Sequence, residues 1–417
     1  MTTPFPARAR RPLALVAALG TAGLLAACAG APTEATPAAP SASAHEHDHD
    51  HEHDHAAEPR LAVAVEDGIL LLDPESLTVE TKLDAEGFVR INPVGDGAHL
   101  AVTGPAGFRL LHAGEGRWLS GSIPAEKAGH VVSHDGRTSF FADGTGEIST
   151  LDLADLPDAD AVPSLSTTRT AQPHHGVAVP LDGGGMILTL GTSESRTGAL
   201  ALDGTGTEIA RAESCPGVHG ETVAGEDTIV LGCANGALVY DDGAFRSLAS
   251  PDATGRIGTQ RGSGQSAVVL GDYKIDPEAE LERPTRVSLI DTEADTIRLV
   301  ELPASYSFRS LERGAHGEAL VLGTDGALHV IDPAAGTITQ SISVVAPWTE
   351  PLDWQEARPA VTVLDHTVYV TEPATGEVHA VDISEGRVLR SAELPATPNE
   401  FAAVGAPAHE AGHGHAH

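Results

Sequence analysis

One phrase recurs along this chain: an apolar strand, a turn containing glycine, and a second strand closing on aspartate. It reads FFADGTGEISTLDL from Phe140, VLGCANGALVYDD from Val230, VLGTDGALHVID from Val321 and YVTEPATGEVHAVDI from Tyr369, with LAVAVEDGILLLD from Leu61 near the start. Apolar runs this short, cut by Gly, Asp, Asn and Pro, read as strands and turns rather than helices. A spacing of about forty residues between copies is the period of a β-propeller blade. Blades are expected to begin near Phe88, Gly129, Gln172, Val218, Arg256, Phe308 and Gln355. An eighth lies in two pieces, three strand-like runs in 60–83 and one spare strand in 399–404. Joining them would close a ring and remove its free edges. The expected fold is therefore all-β, a propeller of eight four-stranded blades over residues 59–404, with seven blades as the near alternative.

The first strand of a propeller blade lies nearest the axis, so equivalent residues at its start meet around the channel mouth. Nine residues before Ser139, Thr228 and His99, each in a second strand, stand His130, His219 and Arg90. Before Met186 the interval to His175 is eleven, because LDGGG lengthens the turn. Three consecutive blades thus bring His130, His175 and His219 to one axial station, with His174 beside them as a fourth candidate. Converging neutral imidazoles are a ligand set for zinc, and copper(II) would accept them too. Glu221, Asp135 or a water could complete the coordination. Because imidazole binds metal only when neutral, affinity is expected to weaken as pH falls through about 6.5. His99, His112, His134, His316, His329, His366 and His379 receive no role.

The ends of the chain have another character. Arg8, Arg10 and Arg11 precede an apolar run from Leu13 to Ala27, a signal peptide over 1–27, and Leu25-Ala-Ala-Cys28 resembles the lipobox of bacterial lipoproteins. Cys28 would then carry lipid on the outer side of a bacterial membrane. Residues 28–58 form a tether carrying HEHDHDHEHDH, in which His45, His47, His49, His51, His53 and His55 alternate with carboxylates, and 405–417 form a second His-rich tail. Such alternation suits weak, exchangeable binding of several ions, a collector for the axial site. Outside the cytoplasm Cys215 and Cys233 are free to pair, and a disulfide is expected, with thiolate ligation of metal as the weaker rival. A formal charge of −34 excludes nucleic acid as a natural partner and favours cations and basic protein surfaces.

The signal peptide, the His/Asp run, the PHHG and CPGVHGE segments and a last strand ending FAAVG together resemble the zinc metallochaperone AztD family. That resemblance implies an extracytoplasmic β-propeller that binds Zn2+ and hands it to the zinc solute-binding protein of an ABC importer. It carries over to His45–His55, His174, His175 and His219; His130 comes from the blade register alone. The lipobox and the second His-rich tail depart from the family pattern. Two other function classes compete. A metal-dependent propeller enzyme, lactonase-like, would need a second catalytic element, and no GxSxG or GxGxxG is present. A protein-interaction propeller with metal-buffering tails would have no tight stoichiometric site.

Overall fold

A computed structural model describes residues 58–405. The leader, Cys28, the His45–His55 run and the tail from 406 onward lie outside the described residues. The described chain folds into eight antiparallel sheets of four strands each, one of them extended by a fifth short strand. Blades 1 to 7 span 90–118, 128–169, 178–212, 219–249, 260–301, 311–343 and 361–393. Blade 8 joins Phe401–Val404 to Arg60–Val65, Gly68–Leu72 and Val79–Asp84. The ring closes through Arg60 opposite Val404, Leu61 opposite Ala403 and Val63 opposite Phe401.

The sequence pattern explains the radial order. Second and third strands are apolar on both faces because neighbouring blades cover both, and Arg60–Val65 and Gly68–Leu72 are buried at every position. Fourth strands sit at the rim and alternate, as Val79–Asp84 does, half in and half out. Blades meet through mixed apolar clusters such as Val179, Ile187 and Ala201 against Ile229, Leu231 and Leu238. Phe108 of blade 1 and Phe140 of blade 2 meet with ring centroids 5.2 Å apart. Where hairpins reverse tightly, Asp135-Gly136 and Asp242-Gly243 both take positive φ, the backbone a two-residue turn matched to strand twist requires.

The inner strands begin at Arg90, Ala128, Ala178, His219, Gln260, Leu311, Val361 and Phe401. Blades 3 and 7 start six residues later than the sequence suggests, at Ala178 rather than Gln172 and at Val361 rather than Gln355. The intervening residues are loops, and His175 lies in the first of them, at the channel mouth.

Candidate metal centre

His130 lies in the inner strand Ala128–His134, His219 opens the inner strand His219–Ala224, and His175 sits three residues ahead of Ala178–Leu181. Their rings converge at the channel mouth, with centroids 5.0 Å apart for His130 and His175, 5.3 Å for His130 and His219, and 5.1 Å for His175 and His219. One nitrogen from each lies within 4.8 Å of the others. They line a cavity of about 370 Å³ shared with Arg90, Glu221, Arg256, Arg261 and Lys274.

Hydrogen bonds at the far side of two rings determine what faces the cavity. The Nδ1–H of His175 donates to Asp143 Oδ2 at 2.5 Å, and that of His219 donates to the Gly258 carbonyl at 2.7 Å. Both partners only accept, so both Nδ1 atoms carry protons and each neutral ring presents Nε2 as a bare lone pair. Those two Nε2 atoms stand 3.1 Å apart. Two lone pairs at that distance repel unless an electrophile lies between them. Zinc with nitrogen ligands at about 2.0–2.1 Å in a tetrahedral shell would space them by roughly 3.3 Å. A second proton on one ring is the only competitor, and it occupies the place a metal would take.

Burial works against that proton. It pushes His219 down to about 4, helped by the nearby His175 and Arg256 charges, and holds His130 well below the usual imidazole range. Two ligands therefore stay neutral well below pH 6.5, so the loss of affinity expected there does not arise from His130 or His219. Glu221 Oε2 lies 3.9 Å from His130 Nδ1, and burial pushes its carboxyl up to about 8. A dication beside it would force that proton off. Zinc affinity should accordingly climb between pH 6 and 8 and level off above, and titrations of Glu221→Gln should lose that slope.

Local backbone chemistry aims His219. Gly220, at φ +68°, makes a bulge that pairs His219 with Gly232 and Glu221 with Leu231. A Cβ at Gly220 would lie 2.4 Å from Gln260 Oε1 and 2.9 Å from the Gly258 carbonyl that orients His219, so only glycine fits. Cys215 and Cys233 form a disulfide that ties the loop entering this strand to the end of its neighbour.

The comparisons bear on this propeller and its mouth. No family model matches the chain. The zinc chaperone AztD of Citrobacter koseri is 28% identical over 305 residues, which are 71% of this chain and 70% of that protein. The chain is similar to AztD along most of both sequences. Two structures of Citrobacter koseri AztD, one described as apo, match with TM-scores of 0.73 and 0.74 at 23% and 24% identity, covering 84% of this chain and 98% of theirs. The dihydro-heme d1 dehydrogenase NirN, at 10% identity and a TM-score of 0.56 over 84% of this chain and 75% of its own, shares the fold alone.

Within this AztD-like propeller the remaining candidates fall elsewhere. His174 turns away from the mouth: it is buried, with Nδ1 at 2.9 Å from the Gln172 carbonyl and Nε2 at 3.0 Å from Thr189 Oγ1, so both nitrogens are engaged. Asp135 follows the inner strand's last residue, at the end of the channel away from the triad, where it approaches Arg137. Neither joins the three histidines. Asp143 does, and sequence reasoning missed it: it begins the turn after the second strand Arg137–Ala142, and those turns project at the mouth. Asparagine there would no longer hold the His175 tautomer as a charge, and Asp143→Asn should weaken zinc binding roughly 10- to 100-fold in a chelator competition titration.

The described chain starts and stops at the opposite end. Pro59 packs on Gly405, and Arg60 pairs with Val404, whereas Phe401 lies at the triad's end of the same inner strand.

Proposed function

We propose that this chain is an extracytoplasmic zinc chaperone. Its leader, 1–27, is removed, Cys28 carries the lipid that anchors it to the outer side of a bacterial membrane, and the propeller carries one zinc ion as cargo on His130, His175 and His219. The pair of unprotonated Nε2 atoms 3.1 Å apart carries this reading, because neutral imidazoles so placed want a cation between them. The relative named as a zinc chaperone supports the choice of ion, and the Cys215–Cys233 disulfide supports an oxidising compartment.

The function is carriage rather than catalysis. The triad opens on the channel mouth, and His175 is half-exposed there at 46% of its side-chain surface. An incoming ligand from the zinc solute-binding protein of an ABC importer can displace one imidazole while the other two hold the ion. Arg90, Arg256, Arg261 and Lys274 around the triad oppose a bound dication and favour its departure towards an anionic ligand. The His45–His55 run on the same chain collects ions but is not needed to build the tight site.

The test mixes the zinc-loaded chain with a metal-free solute-binding protein of a zinc importer in the presence of excess EDTA. Zinc should reach the recipient faster than EDTA removes it from the chain alone. Transfer no faster than that spontaneous loss would sink direct ligand exchange.

A further inference from the structure

We propose a second cation site in blade 7, formed by Glu372, Glu377 and His379, which takes a second zinc ion outside the channel. Glu372 ends the second strand Thr367–Glu372, Glu377 begins the third strand Glu377–Asp382, and the two face each other across the hairpin. His379 follows two residues on, on the same side of its strand as Glu377. One ligand atom from each of the three lies within 4.8 Å of the others.

The imidazole is already arranged as a ligand. Its Nδ1 meets Ser391 Oγ at 2.7 Å, and its Nε2 is buried, 3.3 Å from Glu372 Oε2, with no hydrogen-bond partner. Glu372 is also buried, and its other oxygen accepts the Ala346 N–H at 2.8 Å. Among the described residues no lysine or arginine forms an ion pair with Glu372 or Glu377. Two carboxylates and one imidazole nitrogen thus share a recess whose charge nothing but a proton or a metal ion offsets.

Blade 6 supplies an internal comparison. His329 occupies the same strand position, its Nδ1 meets Ser341 Oγ at 2.8 Å, and its Nε2 lies 3.4 Å from Asp325 Oδ1. The histidine–serine pair is therefore a repeated element of the blades. Blade 6 has Ala327 where blade 7 has Glu377, and a single, half-exposed carboxylate. Glu372 and Glu377, where blade 6 has Gly323 and Ala327, are what turn a structural pair into three ligands. One imidazole with carboxylate oxygens suits zinc, as a weaker and more exchangeable set than three imidazoles. Second strands end at the mouth side, as Gly232 opposite His219 shows, so this ion would sit on the same face as the triad.

Crystals of the full chain, soaked with one and with ten equivalents of zinc, test this by anomalous difference maps at the zinc edge. At ten equivalents a second peak should appear within bonding distance of His379 Nε2 and Glu372, and it should vanish in His379→Ala and in Glu377→Gln while the triad's peak remains. Glu377→Gln keeps the histidine–serine pair and so keeps the fold if His379→Ala does not. Absence of the second peak with the triad filled would overturn the proposal, as would a peak unaffected by either substitution. A blade 7 peak without a triad peak would instead count against the axial site and leave this one standing.

Discussion

A chain carrying His175→Ala and His219→Ala is expected to lose its tight zinc ion and retain only weak, multiple binding. These two residues provide the lone pairs that face each other at 3.1 Å, and without them His130 is one imidazole beside a cavity lined by three arginines and a lysine. One imidazole and the Glu221 carboxylate among those positive charges offset little of the dehydration of a dication. The titration should show the strong phase gone, an affinity loss of at least three orders of magnitude, with the fold intact because both rings are at the mouth rather than in the blade walls. Circular dichroism unchanged alongside that loss separates a ligand role from a structural one. Unchanged affinity would move the metal to the tethers.

The second large effect concerns closure of the ring. Glu400 immediately precedes the strand that completes blade 8, and its Oε1 lies 2.5 Å from Arg309 Nη2 in the loop leading into blade 6. Both side chains are less than one-tenth exposed, and Arg309 also donates to Asn399 Oδ1. Burial depresses Arg309 to about 10, yet at neutral pH it remains a cation. Removing its partner with Glu400→Ala leaves a buried unpaired charge, which costs about 3–5 kcal/mol. The thermal midpoint should fall by several degrees, and the apolar pair Arg309→Met with Glu400→Leu should recover most of the loss. A midpoint unchanged in Glu400→Ala would show that closure rests on the strand pairing alone.

The propeller was legible because its signal repeats: a forty-residue phrase, broken once and completed by Phe401–Val404, survives errors in any single copy. The axial convergence of His130, His175 and His219 followed from that register. What failed was local. His174 and His175 are adjacent in sequence, but the loop before Ala178 sends one into Thr189 and the other into the mouth, and no period governs a loop. Asp143 was overlooked because it acts across blades, touching a residue thirty-two positions away. Glu221 was visible as a neighbour of His219, but its burial, and with it a proton held to about pH 8, depends on packing that composition does not encode.

The most direct test is zinc K-edge X-ray absorption on the full chain loaded with a single equivalent. Three imidazole nitrogens at about 2.0–2.1 Å with one further light atom are the predicted neighbours of the ion. A shell dominated by carboxylate oxygens, with one imidazole or none, would contradict the axial site and place the first zinc ion elsewhere on the chain.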